Sequence, residues 1–412
     1  MTLPHTVTAT EGYLNPMPSL LKTRVESIDV LRGIVMIIMA LDHTRDFFHP
    51  TAWTDDPLNL ATTTPALFFT RWITHFCAPI FVFLSGTSIY LQGLRKSKNE
   101  LSAFLLKRGL WLIAVEVLIV VPGFSFLPYN FILLQVLWAI GISMVLMAGL
   151  TRLPYRAMLL IGFVIVLGHN GLDFIERAPD FKPGFWWQLL HDSRDAVFPV
   201  AEDHIVIIGY PFVPWLGLMM LGYGLGRLFE PMVSPHNRRQ WLLYLGAGAI
   251  GLFVGLRFLN GYGDPYPWSL QTDTVTTLLS FLKVHKYPPS LLYIGVTIGV
   301  GLLALAFLEK TRNGFTRILR TYGRTAFFYY IVHWYVLHTL RMGVFFADGH
   351  TMGEAIKSAR TIPMLGVLVG QGVSLPAVYL IWLTVVAALY PLCRWYDAYK
   401  TAHKEQWWLS YV

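Results

Sequence analysis

Apolar runs recur along the whole sequence, and this constrains the fold more than any other feature. About 20 such residues cross a bilayer as one helix. In hydrocarbon, backbone N–H and C=O groups must be satisfied within the protein, which leaves the helix as the form for runs of this length. The runs fall at 30–41 with its flanks, 68–91, 104–121, 131–150, 157–169, 205–229, 241–259, 291–308, 325–346 and 374–393, predicting ten transmembrane helices in an all-α polytopic protein. Residues 157–169 are the shortest full candidate. The apolar stretch 361–372 is too short to cross alone and reads as a re-entrant or interfacial piece, or as an extension of the last helix. Composition agrees: of 412 residues 55% are hydrophobic and only 14% charged, too apolar for an ordinary soluble domain.

An even number of crossings puts both termini on one side. Assigning the two tails and alternate connections to the cytoplasm gathers most of the 32 Lys and Arg there, including Lys22, Arg24, Lys107, Arg108, Arg238, Arg239, Arg317, Arg320 and Arg324. Acidic residues gather on the other side. This is the positive-inside pattern, so both termini are expected in the cytoplasm. The formal net charge of +8 then belongs to a basic inner face and calls for no nucleic-acid partner. Residues 1–23 read as a polar cytoplasmic tail without the pattern of a removable signal peptide, and 24–412 as a single transmembrane domain. The two cysteines, Cys77 and Cys393, exclude a disulfide framework or a cysteine zinc cluster and read as packing residues.

The first run carries the densest chemistry. It reads RVESIDVLRGIVMIIMALDHTRDFFH, with Arg32 near its start and Asp42, His43, Arg45, Asp46 and His49 crowded at its end. Helical spacing sets Asp42, Arg45, Asp46 and His49 on one side, while His43 meets Asp46 three residues on, making Asp46 its expected partner. In the assigned orientation this cluster lies at the outer surface. The two longest outer connections, 171–204 and 260–289, add Phe185, Trp186, Trp187, His191, Asp192, Asp203, His204, Asp264, Tyr266 and Trp268. Aromatics beside acids suit a sugar-like ligand, and the tryptophans equally suit an interfacial belt.

Ionisable groups inside a membrane are costly and point to function, which singles out Asp42, His43, His75, Glu116, Arg257 and His333. Histidine titrates near working pH and suits proton transfer. His75 and His333 also fit a structural role tying helices together, and Glu116 fits pairing with a neighbouring helix's donor. Lys107 and Arg108 read as interfacial anchors or as phosphate ligands. Ser85, in LSGTS, lacks a nucleophile elbow, and the histidines show no established metal-ligand spacing, so no metal is expected.

In order along the chain, IDVLRG, LDH, APIFVFLSGTSIYL, the Lys107–Arg108 pair, YPFVPWLGLMMLGYGLG, GRTAFFYYIVH and WWLSYV resemble the bacterial relatives of the heparan-alpha-glucosaminide N-acetyltransferase catalytic domain, within the membrane acyltransferase superfamily. The resemblance extends over 24–412. It implies transfer of an acetyl or similar acyl group from cytosolic acetyl-CoA to an amine or hydroxyl of an outer-face, glycan-like acceptor across a bacterial-type inner membrane. His43 falls on the superfamily's histidine at the end of the first helix. The lysosomal enzyme aligns an asparagine there and its own histidine nearer His49, so either residue can be the catalytic one. The expected roles are His43 as base or transient acyl carrier, Asp46 or Asp42 as orienting carboxylate, and His49 as acceptor-side or alternative base. Arg32, Lys107, Arg108 and Arg324 are expected to draw the CoA phosphates, and His75, Glu116 and His333 to line the path. A homo-oligomer is left open. Two other classes compete: a secondary transporter, against which the absence of a visible repeat counts, and a catalytically silent sensor or scaffold of the same fold.

Overall fold

The computed structural model describes residues 25–126, 131–194, 196–202 and 204–410; the expected tail at 1–23 and Asp203 lie outside the described residues. Helix α1 (Glu26–Phe48) leads into α2 (Pro65–Thr74) and α3 (Cys77–Gly93). Then α4 (Lys98–Val115) runs through a π turn, Glu116–Val120, into α5 (Val121–Ser125). Strand β1 (Phe131–Leu134) precedes α6 (Val136–Leu150) and α7 (Tyr155–Gly168). The short α8 (Asp173–Glu176) and α9 (Phe185–Leu190) come before β2 (Val197–Ala201) and β3 (His204–Ile208). There follow α10 (Phe212–Leu225), α11 (Pro235–Leu259), α12 (Thr274–Leu282), α13 (Leu291–Leu308), α14 (Gly314–Arg324), α15 (Ala326–Ala347), α16 (Met352–Ser358) and α17 (Leu375–Ala402).

The protein is mostly helical, as expected of a polytopic membrane chain. Among the described residues six stretches are long and apolar enough to cross a bilayer: Pro65–Gly93, Tyr155–Glu176, Phe212–Phe229, Pro235–Leu259, Leu291–Leu308 and Leu375–Ala402. That is fewer than the ten predicted. Helices α1, α4 and α15 have the length but carry too many charged, histidine or tyrosine side chains, and α6 has only 15 residues. The short candidate at 157–169 gains length, because its helix starts at Tyr155 and continues through a 3-10 turn towards Glu176.

Two of the predicted spans begin as strands. Residues 131–134 and 205–208 pair in parallel, Phe131 opposite Ile205, and β2 joins β3 antiparallel to complete a three-stranded sheet in the order β1-β3-β2. Short β-branched and apolar runs such as FILL and IVII satisfy either period, so the helical expectation fails there. The stretch 361–372 is not an extension of α17, which starts only at Leu375. It is an irregular plug: Leu365 N–H donates to Ser125 O at 2.9 Å and Val373 N–H to Phe48 O at 2.7 Å, docking it over the end of α1.

Helix α1 is the central element, packed by α2, α3, α13, α14, α15 and α17. Its closest neighbour is α14. A Cβ on Gly33 would stand 1.8 Å from Leu319 O, and one on Gly323 would stand 1.7 Å from Asp29 O, so only glycine permits this crossing. That approach carries Arg324, at the end of α14, to the same end of the bundle as Arg32.

Candidate functional site

A cavity of about 970 Å³ runs alongside α1. Arg32, Met36, Met39, Asp42, His43 and Asp46 all contribute to its wall. Arg32 and Asp46 are separated by about 21 Å of helix at 1.5 Å per residue, so the cavity extends through much of the bundle. Its size is near the top of the 300–1,000 Å³ or so typical of small-molecule sites.

One end is basic. Arg32, Lys96, Arg108, Arg324 and Lys400 line it. Arg32 is held in place by Ser88 Oγ at 2.5 Å, Leu84 O at 3.2 Å and Asp29 at 3.6 Å. Arg324 reaches Asp397 at 2.9 Å and Thr401 Oγ1 at 2.9 Å. Of the Lys107–Arg108 pair only Arg108 faces the cavity; Lys107, one residue earlier on the helix, is exposed. The middle is apolar, walled by Met36, Met39, Phe81 and Ile89.

The other end holds His43. Its ring stacks on Trp334 at 3.9 Å, and its Nδ1 lies 2.6 Å from His333 Nε2. His333 Nδ1 in turn stands 3.0 Å from Tyr329 O. A carbonyl oxygen only accepts, so Nδ1 of His333 carries the proton and its Nε2, in the neutral ring, is an acceptor. His43 must then donate from Nδ1, which leaves its Nε2 with a lone pair on the ring edge away from His333. The tautomer of His43 is thus set by a second histidine and a backbone carbonyl. The expected His43–Asp46 pairing is absent from the described hydrogen bonds, because Arg45 has taken Asp46. Arg45 Nη2 lies 2.5 Å from Asp46 Oδ1 and 3.1 Å from Asp42 Oδ1, while Arg71 closes on the other oxygen of Asp42.

The remaining predicted residues separate from the cavity. His49 ends α1, half-buried, with Nδ1 3.0 Å from Thr51 Oγ1, and does not line the wall. The three expected path-lining residues do not line it either. His75 sits at the break between α2 and α3 against the Tyr293 ring, while its carbonyl accepts the Tyr293 hydroxyl at 2.7 Å. Glu116 Oε2 accepts the N–H groups of Leu137 and Trp138 at 2.8 and 3.1 Å, capping the otherwise unsatisfied start of α6. His333 is fully buried behind His43. Arg257, inside α11, spends its guanidinium on the carbonyls of Phe281, Tyr266, Ser280 and Lys283, ordering the 260–289 connection.

Sequence reasoning missed Arg71, Lys286, Tyr287 and Tyr210, which all line the His43 end. The Lys286 ammonium lies 5.0 Å from the Tyr287 ring centre, and the Tyr287 hydroxyl is 3.5 Å from that of Tyr210. Burial opposes the ionised phenol of Tyr287, but the Lys286 and Arg71 charges outweigh it and hold the group below its ordinary range. Only the position of Lys286 in the long 260–289 connection hinted at a role.

The protein is thus a helical membrane protein whose cavity joins a cluster of cations to a buried histidine pair. The sequence matches the family described as heparan-alpha-glucosaminide N-acetyltransferase, catalytic, over residues 24–256, and the chain belongs to that family. The matched range holds α1 and the sheet, whereas Lys286, Arg324, His333 and Trp334 come from beyond it. No curated protein matches the chain. Among the described residues no group of three or more His, Cys, Asp or Glu is arranged to hold a metal ion.

Proposed function

We propose that this protein moves an acetyl, or similar acyl, group from acyl-CoA to an amine or hydroxyl of a glycan-like acceptor on the opposite side of the membrane. The observation that carries the reading is the single cavity joining the basic mouth to His43. The mouth suits the CoA phosphates, since guanidinium groups pair with phosphate through two hydrogen bonds at once. The apolar middle suits the pantetheine arm and brings the thioester to His43. Both termini lie in the cytoplasm on this reading, with the basic mouth, and the membrane is a bacterial-type inner membrane.

In the transfer step His43 Nε2 takes the proton of the acceptor amine or hydroxyl as that group attacks the thioester carbonyl. The new N–C or O–C bond forms, the C–S bond breaks, and His43 returns its proton to the departing thiolate. The products are acylated acceptor and CoA thiol. His333 keeps the Nδ1–H of His43 engaged throughout, the task a carboxylate performs in hydrolase triads. His49, away from the cavity wall, has no part in this step.

The test is calorimetric binding of acetyl-CoA to purified protein, followed by CoA-thiol release with amino-sugar acceptors. His43→Ala is expected to retain binding and lose about 100-fold or more of turnover, as removal of a general base does. Unchanged turnover in that variant would refute the assignment, and accumulation of a solute in vesicles without thiol release would make the protein a transporter.

A further inference from the structure

The His43 end of the cavity carries one positive charge more than its own carboxylates match. Arg45 bridges Asp42 and Asp46, and Arg71 closes on Asp42, so two acids are matched by two guanidinium groups. Lys286 is the remainder. It is only 9% exposed, lines the cavity, and among the described residues has no carboxylate within 4.0 Å of its ammonium; it feels Asp42 at longer range. Its neighbours are Tyr287, whose ring centre stands 5.0 Å away and whose neutral hydroxyl also meets the ammonium, and, through that hydroxyl, Tyr210. Ser193 lines the same wall, its hydroxyl turned to Tyr287 O at 3.4 Å.

An ammonium this far out of bulk water is costly unless an anion or several hydrogen bonds meet it. The acyl donor does not bring one here: its phosphates belong to the basic mouth, and its thioester is neutral. The missing charge therefore arrives with the other substrate. Resting on the acyltransferase reading above, we infer that Lys286, flanked by Tyr210 and Tyr287, forms a subsite for a carboxylate or phosphate on the acceptor. Such a group anchors the acceptor while its amine or hydroxyl faces His43. The acceptor is then an acidic sugar or sugar phosphate rather than a neutral glycan.

The experiment compares glucosamine, glucosamine 6-phosphate and the 3-O-lactyl (carboxylate) derivative of glucosamine as acceptors of the full-length protein, reading CoA-thiol release. At least one anionic acceptor is expected to show a KM about tenfold or more below that of glucosamine, equivalent to about 1.4 kcal/mol. Which anion wins separates phosphate from carboxylate. Lys286→Met is expected to erase the preference by raising KM for the anionic acceptors to that of glucosamine, a change in KM that marks ground-state binding. Equal KM values for all three wild-type acceptors would overturn the subsite. A kcat loss in Lys286→Met common to every acceptor would also overturn it, by placing the ammonium on the transition-state oxyanion. Where no acceptor turns over, the acyltransferase reading is what fails. The subsite is then decided by thermal-shift binding of the same anionic probes, expected with wild type and absent with Lys286→Met; no shift with wild type would refute it.

Discussion

The two histidines of the first helix lie under two turns apart in quite different surroundings. His43 and His49 are six residues apart, yet His43 is stacked on Trp334 and backed by His333, whereas His49 turns to Thr51. Replacing His49 by Ala is therefore expected to leave kcat within a few-fold of wild type. Because His333 acts through His43, His333→Ala is expected to lower kcat about 10- to 100-fold with little change in acetyl-CoA affinity, the range of a lost general-base contribution. His333→Gln should recover part of it, since an amide oxygen can accept the Nδ1–H of His43; a merely packing role would make Ala and Gln equally poor. The sequence made His43 visible because a histidine at the end of an apolar run is rare and costly. It could not show His333 as its partner. The two lie 290 positions apart, and helical spacing offered the nearer Asp46, which its neighbour Arg45 draws into an ion-pair network with Asp42 that Arg71 of α2 completes.

Elements place these residues, and their contacts are less forgiving than their sequences suggest. The crossing of α1 and α14 brings the backbone of Gly33 and Gly323 against carbonyls. Gly323→Ala is expected to destabilise the detergent-solubilised protein by about 1–3 kcal/mol or more, as overpacking does, and to weaken acetyl-CoA binding by displacing Arg324. Gly149→Ala, whose Cβ would meet nothing within 4 Å, is the matched control and should melt like wild type. A second device sits in the 260–289 connection. His285 Nε2 lies 2.7 Å from Tyr287 O, its backbone N–H donates to Asp264, and burial lowers its pKa below 6.5. The unfolded chain then binds the extra proton first, so stability is complete above about pH 6.5 and falls as pH drops below it. His285→Gln, which keeps a donor for Tyr287 O, should flatten that decline in a pH series of thermal melts. Long apolar helices were legible from period and length. The strands at 131–134 and 205–208, the π turn at Glu116 and the plug at 361–372 were not, because each is fixed by its partner: a distant strand, the start of α6, or the carbonyls of Phe48 and Ser125.

At the scale of the whole molecule the polar helices become intelligible. Helices α1, α4 and α15 fall short of the apolarity that marks α13 or α17, yet α1 lies at the centre, and all three contribute residues to the cavity. Arg32, Asp42, His43 and Asp46 of α1 and Arg108 of α4 line that shared interior, which is how a membrane protein accommodates such groups. A sequence reveals this only as a deficit of apolar residues; the cavity itself depends on elements from Arg32 to Lys400 meeting side by side. Its two ends differ in kind, cations at one and the backed histidine at the other, so the two substrates should be consumed from opposite sides. In sealed proteoliposomes with protein of defined orientation, acetyl-CoA supplied at the basic mouth and acceptor supplied at the His43 side are expected to react, with CoA thiol released on the first side and acylated product on the second. Exchanging the two substrates should abolish product. Met36→Trp, which places a large ring between the ends, is expected to suppress transfer at least tenfold while the cations of the mouth still hold the CoA phosphates. Equal transfer from either arrangement would mean that both substrates enter by one mouth, and the length of the cavity would then need another purpose.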